Sequence, residues 1–281
     1  MAVAVQNRMS DPRTRALVIP REHGAWGILL VPLVTGAAVG ITSVAGTISV
    51  VLFTLVALSF FWLRTPVESV LGAGPMRVQN DAEFNAVFRA IAILSVIATI
   101  SLTSLFLSGN RVGLLLLGGI AAMAFVLQAG LKKLGRRYYM AAQLIGSAGL
   151  TATAPAAYYV ATGHLDATTT ALWLANWAFA CNQVHFVQIR IHSARLSGTH
   201  EKLLRGLAFF LGQIAMIAAL VIAWRLALLP ALAVFAFIPV LVRGFWWFLP
   251  GQKPLAVKRL GWTELAHAIS FGLLLIAGFL L

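Results

Sequence analysis

From residue 24 to residue 63 the chain carries no Asp, Glu, Lys or Arg, and uncharged stretches of this kind recur to its C-terminal end. The others are residues 90–110, 112–131, 138–165, 167–189, 206–224, 226–242 and 265–281. A hydrocarbon core of about 30 Å is crossed by about 20 helical residues, with about 17 near the lower limit. Residues 24–63 therefore hold two spans joined by a turn near 40–46, and each later stretch holds one, which predicts nine transmembrane helices. Backbone groups in lipid must be paired internally, so only helices or a closed barrel can cross, and these runs are too long for barrel strands. The expected fold class is all-α and polytopic. Composition agrees: 60% of residues are hydrophobic and 10% charged, with a mean hydropathy of +0.90. A soluble domain carries about 25% charged residues, so a soluble enzyme, a disordered chain and a secreted disulfide scaffold are excluded. The single cysteine, Cys181, precludes an intramolecular disulfide and a cysteine metal cluster.

The net charge of +13 has a topological explanation. With nine spans, the N-terminal segment and the loops after the second, fourth, sixth and eighth share one side. They hold Arg8, Arg13, Arg15, Arg21, Arg64, Arg77, Arg89, Lys132, Lys133, Arg136, Arg137, Arg190, Arg195, Lys202, Arg205, Arg243, Lys253, Lys258 and Arg259. Only Arg111 and Arg225 fall on the other side. The positive-inside rule makes the first side cytoplasmic, so the N-terminus is expected inside and the C-terminus outside. Residues 1–20 read as a polar, basic cytoplasmic segment, and residues 21–281 as one multi-pass membrane domain. The first span is its own insertion signal; no cleaved leader is implied. The basic face meets anionic lipid head groups, and nucleic acid is not an expected partner. The inner loops are the longer ones and Asp166 alone of the acidic residues lies outside, so a site is expected to open to the cytoplasm.

Polar residues at membrane depth are the candidates for function, because exposing them to lipid is costly. In the sixth span Asn182, His185, Gln188, His192 and Arg195 recur at spacings of three and four, forming one seam down a helical face toward Arg190. Two readings stand open: a set of hydrogen bonds between packed helices, or the wall of a polar cavity shared with Arg64 and Glu68. Arg64 and Glu68 are an i, i+4 pair at the end of the second span, with Pro66 expected to perturb the helix between them. Gln143, Ser147 and Thr151 share a stripe in the fifth span and read as packing. Gln128 and Lys132 share a face of the fourth, and Glu264 and His267 open the ninth, where a charge against the helix dipole explains the glutamate equally well. Trp62, Trp246, Trp247, Trp262, Tyr138 and Tyr139 lie near predicted boundaries and read as interfacial anchors. There is no phosphate loop, zinc helix, nucleophile elbow or convincing metal-ligand cluster, so no cofactor is expected.

The approach to the first span reads IPREHGAWGILLVPLVTG, with Arg21, Glu22, His23, Gly24, Ala25, Trp26 and Pro32. This resembles the YwiC-like family of bacterial membrane proteins, in which a basic-x-His-Gly-Ala-Trp stretch opens the first span. It is also similar, more distantly, to the UbiA intramembrane prenyltransferases, in the nine-helix layout, the cytoplasmic N-terminus and the enlarged loops after spans two and six. That second resemblance implies a UbiA-like bundle and a prenyltransferase-like site for a polyprenyl diphosphate held through magnesium by two Asp-rich motifs. This chain departs from both motifs: the first position offers Arg64 and Glu68, and residues 182–195 contain no carboxylate. Magnesium typically takes one or two carboxylates beside substrate phosphates. One reading is then a cytoplasm-facing cavity in which Arg64, Lys132, Arg190 and Arg195 hold an isoprenoid phosphate or other anionic lipid directly, with His185 or His192 as acid or base if a reaction follows. The other is a non-enzymatic transporter or lipid-binding protein. Catalysis, acceptor and oligomeric state stay open.

Overall fold

The computed structural model describes residues 12–20, 23–72, 76–109, 112–194, 196, 198–250 and 256–281. Their regular structure is all helical, with no strand among the described residues. The helices are α1 (Pro12–Val18), α2 (His23–Gly40), α3 (Val44–Val70), α4 (Asp81–Leu107), α5 (Val112–Lys133), α6 (Tyr139–Thr151), α7 (Thr153–Thr162), α8 (Ala167–His192), α9 (Thr199–Arg225), α10 (Ala231–Phe235), α11 (Ile238–Trp246) and α12 (Val257–Leu280). They form two compact units, one of residues 1–23 and 44–111, the other of residues 24–43 and 112–281.

Five helices, α3, α4, α5, α9 and α12, are long and apolar enough to cross a membrane. Only 17–33% of their most apolar stretches is buried against protein. An aqueous fold would not leave so much hydrocarbon outward, so the exposed faces are lipid faces, and the protein is a multi-pass membrane protein. Helices also occupy each remaining uncharged stretch, but in other forms. The α2 helix is short at 18 residues. The stretch 138–165 is divided into α6 and α7 at Ala152, and the stretch 226–242 starts with a turn at Ala227, whose φ of 53° is left-handed, before α10 and α11. At 26 residues α8 is long enough; its Asn176, Asn182, Gln183, His185 and Gln188 keep it out of the apolar class.

In the first unit α3 and α4 pack along each other and α1 lies against both. Pro66 sits inside α3 without ending it. Residues 12–18 are no loose tail: Leu17 is fully buried, a contribution of about 1.5–3 kcal/mol, and Trp62 Nε1 donates to the Val18 carbonyl at 2.8 Å. Arg13 donates to the buried Glu83 carboxylate at 2.6 Å, which also accepts from the Gln79 amide at 2.8 Å. Asn80 caps α4 by accepting from the Glu83 amide, where the helix dipole also favours the acidic first turn.

In the second unit close backbone approach decides the packing. A Cβ at Gly36 would overlap the Ala154 carbonyl, and one at Gly40 would crowd Tyr158 and Ala161 of α7. Gly36 and Gly40 are thus a small-xxx-small pair that lets α2 and α7 touch, which is how membrane helices gain dispersion without a hydrophobic driving force. Thr153, at the break between α6 and α7, donates to the Leu29 carbonyl at 3.1 Å, and Asn176 Nδ2 donates to Thr35 Oγ1 at 3.0 Å. The apolar core beside them contains Leu172, Phe237, Phe271 and Leu275, all fully buried, with Phe179 and Phe271 stacked at 4.1 Å between centroids.

Candidate functional site

A cluster of charged residues in the second unit lies where the C-terminal part of α8, the start of α9, the end of α11 and the start of α12 converge. Arg243 projects inward from α11, whose opposite face is apolar. Its guanidinium pairs with the Glu264 carboxylate of α12, donates to Asn182 Oδ1 of α8 at 2.8 Å and lies 4.0 Å from the centroid of the Phe186 ring. Both side chains of the ion pair are nearly buried, at 9% and 7% exposure. Within the site the pairing is incomplete: Arg243 Nε and Glu264 Oε1 are buried with no partner among the described residues. Gln183 of α8 donates to the Glu264 backbone carbonyl at 3.0 Å, which ties α8 to α12 beside the pair.

Two further cations adjoin it. Arg190, half-buried in the last turn of α8, lies within electrostatic reach of Glu264 and of Lys202. Lys202 is buried in the first turn of α9, donates to the Leu249 carbonyl at 2.7 Å and stands 5.9 Å from the centroid of the Trp247 ring. Trp247 is itself only 2% exposed. The sequence reading as an interfacial anchor therefore does not hold for Trp247, whose ring fills the space under Gly206; Trp246, Trp262, Tyr138 and Tyr139 are exposed. The guanidinium of Arg190 forms no hydrogen bond with any described residue. Arg243 and Arg190 thus share the Glu264 carboxylate, and Lys202 adds positive charge beside Arg190. Such an arrangement favours an anion, and guanidinium groups bind phosphate oxygens in a fixed fork.

The residues singled out from the sequence have the following places. Asn182 is buried and engaged by Arg243. His185, one turn on, presents its ring to Phe209 edge-on, with centroids 5.1 Å apart. Gln188 donates to Gln143 of α6 at 3.1 Å, and the exposed His192 has its Nδ1 2.8 Å from the Gln188 carbonyl. The seam on α8 therefore has partners on several different helices. Arg64 and Glu68 belong to the first unit, paired at 2.9 Å on half-exposed side chains. Lys132 is exposed at the end of α5, and Gln128 lies across Gly146, where a Cβ would overlap its amide. Arg195, Arg21 and Glu22 lie outside the described residues, as does the side chain of His23; Gly24, Ala25 and Trp26 form the first turns of α2. Among the described residues no three His, Cys, Asp or Glu side chains gather as a metal site.

The sequence alone puts Arg243 and Lys202 among the topology-setting cations and leaves Glu264 open between a polar site and a charge against the helix dipole. The signal that marks them was available: Glu264 is the lone carboxylate of the last 80 residues, and an ionisable residue flanking a span is paired by default. Beyond the site, the outward face of α11 carries an open apolar groove of about 440 Å³ lined by Ile238, Leu241, Val242, Phe245, Trp246 and Leu249, suited to hydrocarbon.

No curated protein and no solved structure matches the chain. A family model described as YwiC-like protein matches residues 19–158. The match takes in the Arg-Glu-His-Gly-Ala-Trp stretch and α2 to α6, ends within α7, and stops short of the Arg243 cluster. On this match, spanning about half its length, the chain belongs to the YwiC-like family.

Proposed function

We propose that this is a nine-span, UbiA-like bundle of the bacterial inner membrane, N-terminus cytoplasmic, that binds a phosphorylated isoprenoid or other anionic lipid by its phosphate. The cytoplasmic ends of α8, α9, α11 and α12 supply the head-group site, with Arg190, Lys202 and Arg243 taking the place a metal ion has in magnesium-dependent diphosphate enzymes. The observation that carries this reading is the half-buried guanidinium of Arg190, which has no hydrogen bond among the described residues and sits in a surplus of positive charge. An accessible guanidinium with open donors beside further positive charge is a ready partner for a phosphate.

Binding rather than prenyl transfer is the reading we favour for this site. An acid or base is helped by an orienting partner, and among the described residues neither candidate histidine is paired with a carboxylate: His185 rests on Phe209, and His192 is tied to a backbone carbonyl. The test is a native mass spectrum of the full-length protein purified in mild detergent, with and without chelator. A retained polyprenyl phosphate or anionic phospholipid that survives chelation supports the proposal. Retention of neutral lipids alone, or loss of every anionic lipid on chelation, refutes it.

A further inference from the structure

We infer that Glu264 is a built-in competitor for the phosphate: in the empty protein its carboxylate occupies Arg243, and the incoming head group displaces it. This rests on the anionic-lipid reading above and adds the residue that sets affinity and selects for phosphate. The geometry of the ion pair is the argument. Glu264 uses one carboxylate oxygen on Arg243 while the other is buried without a partner among the described residues, and Arg243 leaves its Nε–H likewise unpaired in the same place. Buried donors and acceptors are nearly always satisfied, and each exception calls for an explanation. Here the unmet groups are mismatched in a particular way. Among the described residues, Arg243 Nε and the Arg190 guanidinium carry donors that the Glu264 carboxylate leaves unmet. A phosphomonoester brings three terminal oxygens and up to two negative charges, which suits two guanidinium groups and the adjacent Lys202 ammonium. The carboxylate that holds Arg243 in place is then repelled by the same phosphate. Asn182, a neutral acceptor bonded to the other Arg243 nitrogen, keeps the guanidinium aimed while Glu264 leaves.

Competition of this kind has a sign that a merely structural ion pair does not have: neutralising Glu264 tightens phosphate binding. The experiment measures the affinity of the full-length protein, in detergent with chelator, for farnesyl phosphate in one arm and inorganic phosphate in the other. Wild type, Glu264→Gln and Asn182→Ala are compared, each first checked for a single monodisperse species. Glu264→Gln should bind farnesyl phosphate at least tenfold more tightly than wild type, while Asn182→Ala does not tighten it. Equal tightening for inorganic phosphate assigns the site to the phosphate alone; tightening confined to farnesyl phosphate assigns it to the lipid, and either supports the inference. Unchanged or weaker binding by folded Glu264→Gln overturns it while leaving the anionic-lipid reading standing. Absence of binding by wild type in both arms overturns that reading and the inference together. Should Glu264→Gln not fold, the wild-type infrared difference spectrum on adding farnesyl phosphate decides: a shifted carboxylate stretch is expected, and no carboxylate change overturns the displacement.

Discussion

Replacing Arg243 by methionine keeps much of the side-chain volume in the second unit but removes the counter-charge of Glu264 and the donor to Asn182. The carboxylate left behind is 7% exposed and has no other hydrogen-bonding partner on its side-chain oxygens among the described residues. Stripping one partner from a buried ion pair costs about 3–5 kcal/mol, whereas replacing both by apolar groups of similar volume is close to neutral or even stabilising. Arg243→Met and Glu264→Met should therefore each lose about 3–5 kcal/mol, and the double variant should lose less than either. The assay is unfolding in mixed micelles titrated with sodium dodecyl sulfate, read by the fluorescence of the protein's eight tryptophans. Such a cycle isolates the coupling between two residues in contact. A double variant that loses the sum of the two single effects would show that the pair is not coupled, and the site as described would fall.

Other consequences concern the scaffold. Gly36→Leu should prevent the approach of α2 to α7, because even a Cβ overlaps the Ala154 carbonyl; overpacking costs about 1–3 kcal/mol, readable in the same unfolding assay, whereas Gly212→Ala, with open space around it, should be tolerated. Asp166 caps α8 by accepting from the Thr169 amide at 2.9 Å, so Asp166→Ala should cost about 1 kcal/mol. Partial burial raises the Asp166 pKa, but hydrogen bonds from Thr169, Tyr158 and Thr168 outweigh it and hold the carboxyl below its ordinary value. Its contribution is then complete above the usual carboxylate pKa of about 4 and fades as pH falls through the lower folded value, a loss that Asp166→Ala should no longer show. Reporter fusions near Lys132, Lys202 and Lys253 should report the cytoplasm, and a fusion at the C-terminus the outside; a cytoplasmic C-terminus contradicts nine spans.

Fold class was legible because charge is excluded from lipid: the uncharged stretches predict where helices fall, and α3, α4, α5, α9 and α12 fill theirs as single apolar rods. Hydropathy carries no information on where a span breaks. Proline is the signal that a count of charges passes over: Pro155 cannot donate to the Thr151 carbonyl, which fits the division of α6 from α7 at Ala152, and Pro230 opens α10 just after the turn at Ala227. The spacing of Asn182, His185 and Gln188 put them on one helix, yet their partners come from Arg243, Phe209 and Gln143. Pairing across 45–61 residues of chain depends on which helices adjoin, and that is set by close approaches such as Gly36 on Ala154 and Gly206 on Trp247. The same limit hid Arg243 and Glu264, each ordinary on its own helix and informative only as neighbours.

The central claim is that cations, Arg190 foremost, hold a phosphate without a metal, and the most direct measurement is the affinity of wild type and Arg190→Gln for farnesyl phosphate in chelator across a salt series. A lost charge-assisted contact costs about 1.5–3 kcal/mol, so Arg190→Gln should bind roughly ten- to a hundredfold more weakly, while wild-type affinity is indifferent to chelator and declines with added salt. Wild-type binding that chelator abolishes, with Arg190→Gln retaining full affinity in added magnesium, would contradict the account.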